Sequence, residues 1–167
     1  HTYEMCDWIN EKLKYSNRSS EKLNEIEKKD LDYHALSSPH QGVMAEVEPL
    51  TWLHLEDYVE KNTDKMCLVL LDQLTNSQNI GSILRTASAF NVDGVVITKN
   101  NTPMENGLMA RAAAGAIETM PLIRVTNLSR SIEYLKKNNF FVIGLEKHGK
   151  ENISDCVGNP QTALVLG

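Results

Sequence analysis

The sequence holds few cysteines and no long apolar run. Among its 167 residues there are three cysteines, Cys6, Cys67 and Cys156, and no C-x-x-C pair. An odd number of widely spaced cysteines is typical of reduced thiols in a cytosolic protein and argues against a disulfide framework or a zinc site. No stretch approaches the roughly 18 consecutive apolar residues that would cross a bilayer, so we predict no membrane partner. No cluster of histidine, cysteine or carboxylate residues has metal-ligand spacing, so we predict no metal.

Several short motifs are missing as well. Residues 1–4 include no initiator methionine and begin neither a charged nor an apolar signal region, so we expect a cytoplasmic protein with residues missing ahead of this point. Neither G-x-G-x-x-G nor G-x-x-x-x-G-K-[ST] occurs. Their absence removes the main support for a dinucleotide-binding or P-loop protein.

Positive charge is scarce in the first part of the chain. Residues 1–64 carry 7 basic and 14 acidic side chains, whereas residues 65–167 carry 10 basic and 8 acidic ones. The net charge of −5 argues mildly against a nucleic-acid partner, whose phosphates attract lysine and arginine. Any phosphate-binding surface should therefore lie in the second half of the chain.

The first third of the chain has no apolar pattern strong enough for a core of its own. Residues 1–36 show scattered apolar positions at helical spacing, and residues 42–47 (GVMAEV) are a short strand candidate. We predict that residues 1–48 are the remnant of an N-terminal domain. Residues 49–65 are predicted to be a polar linker with some helical character.

Strands and helices alternate after this linker. Apolar runs at residues 66–71, 94–97, 122–125, 140–145 and 163–166 are typical of strands buried on both faces. Helical spacing of apolar residues lies between them, with one helix predicted over residues 104–114. This alternation predicts an α/β fold with a mostly parallel sheet of five or more strands and helices on both faces. In such sheets, ligands bind beyond the carboxyl ends of the strands.

The loop after the first of these strands has the most specific pattern. Residues 72–87 follow a buried strand with an aspartate and continue, from Asn79, as N-x-G-x-x-x-R-T-A. This stretch resembles the first motif of SpoU-type (TrmH-like) RNA 2'-O-ribose methyltransferases, of the SPOUT superfamily. The resemblance continues in the family's order through residues 114–118 (AGAIE), 121–128 (PLIRVTNL) and 163–167 (ALVLG, similar to the opening of the second motif).

The segment upstream of the sheet also resembles this family. Residues 40–47 (HQGVMAEV) are similar to the segment that joins an RNA-binding N-terminal domain to the catalytic domain. That subgroup includes 23S rRNA guanosine-2'-O-methyltransferases. The resemblance therefore implies methyl transfer from S-adenosylmethionine to a ribose 2'-hydroxyl of RNA, with rRNA as the substrate and a homodimer as the active form.

The resemblance also implies roles for individual residues. Arg85 matches the family's catalytic arginine, and a guanidinium is better suited to stabilising an oxyanion than to accepting a proton. Without the motif, Arg85 would be read as a solvated helix residue. Asn79 matches an active-site asparagine, although it could equally be the N-cap of the helix. Gln78 and Ser82 are predicted to contact RNA together with Arg85.

Cofactor contacts are expected at two strand ends. Gly167, with Leu166 beside it, matches the first glycine of the second motif, and Leu145 and Glu146 are placed near the cofactor by their position after the fourth strand. Gly81 is expected to permit close approach to its backbone by the sheet or by a ligand. Three further cations, Lys99, Arg111 and Arg124, are expected to be ordinary surface charges.

The match stops at the opening of the second motif. The acidic residue that follows in the family and the whole third motif do not occur in this sequence. We therefore expect residues 66–167 to be a methyltransferase domain truncated at its C-terminus, with an incomplete trefoil knot and impaired activity. Alternatives are a non-catalytic RNA-binding or ribosome-assembly protein with the same fold, a tRNA 2'-O-methyltransferase, and an unrelated nucleotide-binding module.

Overall fold

A computed structural model describes residues 24–35, 40, 42–62, 65–156 and 160–167. The chain divides into two compact units, His1–Glu48 and Pro49–Gly167. No helix in the described part is long and apolar enough to cross a membrane.

The described part of the first unit contains one short helix, α1 (Lys28–His34). His40 follows it, and its Nδ1 atom accepts a hydrogen bond from the Gly42 amide at 3.1 Å. The proton is therefore on Nε2, which donates to Asp32 Oδ1 at 2.7 Å. The strand predicted over residues 42–47 is wrong, because this segment is exposed and has no regular structure. Predicted helix before residue 24 lies outside the described residues.

The second unit is an α/β fold built on one parallel sheet. Its strands have the order β3-β2-β1-β5-β4, and every adjacent pair is parallel. The elements, in chain order, are α2 (Leu55–Lys61), β1 (Met66–Leu71), α3 (Ser77–Ala89), β2 (Gly94–Thr98), α4 (Gly107–Ala113), α5 (Ala116–Thr119), β3 (Leu122–Val125), α6 (Leu128–Lys137), β4 (Phe141–Gly144), a 3-10 turn (Ile153–Cys156) and β5 (Gln161–Leu166).

Helices cover both faces of this sheet, as predicted. Alternate residues of β1 point to opposite faces, so Val69 and Leu71 pack in one core while Leu68 and Leu70 pack in the other. The first core contains the buried sides of α3, α4 and α5. The second core contains the buried sides of α2 and α6. All five predicted strands are present, and the fold class is confirmed.

The segment predicted to be a polar linker packs on the sheet. Leu53 extends the β3 edge: its amide donates to the Leu122 carbonyl at 2.8 Å, and its carbonyl accepts from the Arg124 amide at 3.1 Å. Leu55 and Val59 of α2 are then buried in the second core. These two apolar residues, one turn apart, hold the segment on the sheet despite its polar composition. The proposed domain boundaries themselves stay predictions.

The helix predicted over residues 104–114 is shorter than expected and is followed by a second one. It begins at Gly107, after the cap residue Asn106, and ends at Ala113. Ala114 and Gly115 then take left-handed conformations, with φ of 49° and 90°. Two successive left-handed residues end an α-helix, so the chain turns and begins α5.

Candidate functional site

The helix that carries the first motif starts earlier than the sequence suggested. Asn76 is its N-cap: the side-chain oxygen accepts from the Gln78 amide at 2.8 Å and the Asn79 amide at 3.3 Å. The alternative interpretation of Asn79 as the cap is therefore wrong. Asn79 lies in the first turn of α3, and its exposed side chain is not used for capping.

The three residues predicted to contact RNA lie on one exposed side of α3. Gln78, Ser82 and Arg85 are separated by four and three residues, which places them on the same helix face at about 100° per residue. All three are exposed, and Asn79 is exposed beside them. The opposite side of α3 is buried against the sheet through Ile80 and Leu84. We call Gln78, Asn79, Ser82 and Arg85 the α3 stripe.

Arg85 is the only charged residue of α3. Among the residues that the structure describes, it has no ion pair and no hydrogen bond from its side chain. The first turn of α3 contains no acidic residue that would offset the positive end of the helix dipole. Arg85 is thus available to bind an anion.

Gly81 brings α3 against another helix. A β-carbon at this position would lie 2.7 Å from Ala112 Cβ and 3.0 Å from the Ala113 nitrogen, and closer still to the Met109 carbonyl oxygen. The close approach expected at Gly81 is therefore made by the backbone of α4, and not by the sheet or a ligand. The contact fixes the α3 stripe relative to α4.

Asn106 connects the starts of these two helices, a role that the sequence analysis missed. Its side-chain oxygen accepts from the Met109 amide at 3.0 Å and so caps α4. Its side-chain nitrogen donates to Ser77 Oγ, in the first turn of α3, at 2.8 Å. An asparagine directly before a helical apolar pattern was the available signal, but it indicates only the cap.

The predicted cofactor residues come together at the carboxyl ends of two adjacent strands. Leu145 and Glu146 follow β4, and the Leu145 amide donates to the Val165 carbonyl of β5 at 2.9 Å. Leu166 ends β5 and accepts from the Asp72 amide at 2.7 Å. Gly167 then lies against Asp72, where a β-carbon would stand 3.3 Å from Asp72 Cβ.

Asp72 links this cluster to the loop that leads into α3. Asp72 follows β1, and the first turn of α3 begins at Ser77. Asn79 therefore lies near the same edge of the sheet as Gly167. Arg85 lies farther along the helix, about 9 Å beyond Asn79 at 1.5 Å per residue. We call Leu145, Glu146, Leu166 and Gly167 the Leu145–Gly167 cluster, and Arg85 lies farther from it along α3 than Asn79 does.

A further polar cluster lies at the β3 edge of the sheet. The Arg124 guanidinium stacks on the Trp52 ring, 3.8 Å from its centroid, and Arg124 Nη2 lies 3.9 Å from Glu105 Oε2. The Arg124 side chain is only 26 % exposed. The prediction that Arg124 is an ordinary surface charge is therefore wrong. Arg124 holds the loop before α4, which carries Glu105, close to the segment that carries Trp52.

A cavity of about 380 Å³ lies at the other end of the sheet. Its lining includes Cys67, Asp93 and Thr162, which are near the amino ends of the strands. Burial, with a smaller contribution from the Asp93 charge, raises the pKa of the Cys67 thiol. Because the thiol is the unreactive form and the site is expected at the carboxyl ends, this cavity is not the candidate site.

Comparisons with known proteins identify the family of this chain. The family model of the SpoU rRNA methylase family matches residues 66–167. The chain belongs to the SpoU family. It is 36 % identical over 162 residues to a TrmH-family tRNA/rRNA methyltransferase relative of Staphylococcus aureus (strain COL), and 38 % identical over 164 residues to one of Staphylococcus epidermidis. Each match covers 95 % of this chain and 65 % of the relative, so the chain spans about two thirds of the length of these relatives.

A solved structure of this SpoU family shares the fold. The SpoU methyltransferase AviRb from Streptomyces viridochromogenes, in complex with the cofactor AdoMet, is 23 % identical, with a TM-score of 0.56. The similarity covers 62 % of this chain and 41 % of AviRb. It supports the parallel α/β architecture described above for the SpoU domain of this chain.

Proposed function

We propose that this SpoU-family protein transfers a methyl group from S-adenosylmethionine to a ribose 2'-hydroxyl of rRNA. The observation that carries the proposal is the α3 stripe, in which an arginine without an ion pair among the described residues and three polar side chains form one exposed face of a helix that starts at the carboxyl end of the sheet. Family membership supplies the reaction class, and the stripe supplies a place for a nucleotide.

The residues at the ends of β4 and β5 fit the cofactor. Leu145 is 40 % exposed at the sheet edge and offers apolar surface to an adenine ring, while the Glu146 carboxylate can accept from ribose hydroxyls. Gly144 has open space around the position of a β-carbon, so the backbone there can be approached closely. We assign Leu145, Glu146, Leu166 and Gly167 to cofactor binding. When bound, S-adenosylmethionine supplies an electrophilic methyl group.

Arg85 is proposed as the catalytic residue. Its guanidinium presents several N–H donors in one plane, so it can contact a phosphate and the adjacent ribose oxygen together. The 2'-hydroxyl releases its proton to water, and the Arg85 cation would stabilise the negative charge that develops on the oxygen. Asn79, Ser82 and Gln78 would orient the nucleotide on the same face of α3.

The position of Arg85 also favours a homodimer as the active form. Arg85 lies farther along α3 than the end of the helix that adjoins the Leu145–Gly167 cluster. A second copy could place its own cluster beside Arg85 and complete the site. Residues 1–48 are assigned to RNA binding, as part of an N-terminal domain.

The experiment incubates the full-length protein with tritiated S-adenosylmethionine and either rRNA or tRNA, then digests the RNA with alkali. A 2'-O-methyl group blocks the neighbouring linkage from cleavage, so label in alkali-resistant dinucleotides of rRNA is the expected result. Label released as mononucleotides would indicate base methylation and overturn the ribose assignment. Label in tRNA alone would identify a tRNA enzyme, and RNA binding without transfer would indicate a non-catalytic protein.

A further inference from the structure

The Asn106 side chain serves two helices at once. Its oxygen accepts from the Met109 amide, which fixes the start of α4, while its nitrogen donates to Ser77 Oγ at 2.8 Å and to the Met104 carbonyl at 3.1 Å. Capping alone uses only the oxygen. The donor side of the amide therefore has a separate role, which is to join the first turn of α3 to the start of α4.

This bond and the Gly81 contact restrain α3 at two points. Gly81 lies against the α4 backbone at Met109, Ala112 and Ala113. Ile80 and Leu84 also bury the opposite side of α3 in the first core. The Asn106–Ser77 bond lies one turn before Gly81 and adds a polar restraint on the first turn of α3. We therefore expect this bond to refine the direction in which the α3 stripe faces.

We propose that Asn106 is a positioning residue that holds Arg85 and the rest of the α3 stripe in register with the RNA through Ser77. The inference rests on the proposed function. A shift of about 1 Å in a catalytic group can cost about 100-fold in rate, so a small displacement of α3 should be visible in turnover. Asn106 lies at the cap of α4 and is not part of the α3 stripe.

Two variants separate this role from capping. Ser77→Ala removes the acceptor and leaves the Asn106 cap of α4 intact. Asn106→Ser keeps a capping hydroxyl but is too short to reach Ser77. The matched control is Asn127→Ser: Asn127 caps α6 by accepting from the Arg130 amide at 2.9 Å, and α6 packs on the opposite face of the sheet.

We expect kcat to fall by about 10-fold or more in both Ser77→Ala and Asn106→Ser. The Kd for the methyl donor and the melting temperature of these variants should match those of Asn127→Ser. The double variant Ser77→Ala/Asn106→Ser should lose no more than the worse single variant, because both remove the same bond. A kcat within twofold of the Asn127→Ser value would overturn the proposal.

Hydrogen exchange tests the bond independently of activity. In Ser77→Ala, the amides of residues 78–81 should exchange about 10-fold faster than in the parent, while the α6 amides stay unchanged. Unchanged exchange at residues 78–81 would overturn the proposal. If the parent transferred no methyl group, the proposed function would fail, and faster exchange would still support the Asn106–Ser77 restraint.

Discussion

Gly81 of α3 and Met109 of α4 bring two helix backbones so close that no side chain fits between them. The Met109 carbonyl oxygen occupies the position that a β-carbon on residue 81 would need, and Ala112 and Ala113 close the remaining space. The α3 stripe lies on the same helix. Packing in the core therefore directly affects the candidate site.

Gly81→Ala should destabilise the protein because one helix backbone must move. Overpacking of this kind costs about 1–3 kcal/mol, and urea unfolding would measure the loss. Gly107→Ala is the matched control, since Gly107 is also helical and has open space around it. Equal stability of the two variants would show that α3 and α4 are not in tight contact.

Arg85→Ala should strongly reduce methyl transfer and leave donor affinity nearly unchanged, because Arg85 is proposed to contact the RNA phosphate and ribose and not the donor. Loss of one preorganised donor to an oxyanion costs roughly 10²–10³ in rate. Arg85→Lys should recover little, since an ammonium lacks the planar fork.

Tritium transfer to RNA, beside a titration of donor binding, measures both effects. The control is Arg130→Ala, which removes an exposed arginine from α6 on the opposite face. Turnover of Arg85→Ala within threefold of the parent would make Arg85 a solvated helix residue and remove it from the mechanism.

Arg124→Ala should destabilise the β3 edge. It uncovers the Trp52 ring and leaves the mostly buried Glu105 carboxylate without its cation, at a cost of about 1–3 kcal/mol. Adding Glu105→Ala should restore part of the loss, because the unpaired charge is then gone. Chemical denaturation of the single and double variants gives the coupling energy. A double variant as unstable as the sum of its singles would contradict the pairing.

Stability should fall in alkali, and Tyr58 should contribute to the fall. Burial, and to a smaller extent the Asp93 charge, raises the pKa of Tyr58 above 10.0, so the folded state keeps this proton to higher pH than the unfolded state. Its contribution is complete below pH 10 and is lost as pH rises through the folded-state pKa. Tyr134 and Cys67, whose pKa values are also raised, act in the same direction.

Tyr58→Phe removes one part of this effect. It loses the hydrogen bond from Tyr58 Oη to the Asp93 carbonyl at 2.6 Å, so it should be about 1 kcal/mol less stable at neutral pH. Its stability should then decline less steeply than that of the parent between pH 9 and 11. Parallel declines in thermal melting would indicate that Tyr58 ionises equally in both states.

The five strands could be predicted because parallel strands are continuous apolar runs, although only β1, β2 and β3 are largely buried, while β4 has exposed ends at the sheet edge. The candidate strand at residues 42–47 looked similar in composition but is exposed and irregular, and no described strand pairs with it. A single sequence indicates the local conformational preference of a segment. It does not indicate whether another strand lies beside that segment in the fold.

The site could be predicted as a set of residues but not as a geometry. The motif identified Arg85 and Asn79. The true cap, Asn76, is a local contact just ahead of that motif. The contacts of Asn106 and Arg124 join side chains far apart in the sequence. Asn106 and Ser77 are 29 positions apart, and no periodic pattern connects them. Such pairs become visible only when the helices have packed.

The position of β5 has a consequence for how the molecule forms. β5 lies between β1 and β4 in the sheet, although it follows both along the chain. During synthesis, β4 therefore has no neighbouring strand in the described sheet until residues 161–166 have emerged, and one edge of β1 stays unpaired for the same time. Long-range parallel pairing is slow, and an open strand edge can pair with other chains. Insertion of β5 should thus be the late step that protects the nascent chain from aggregation.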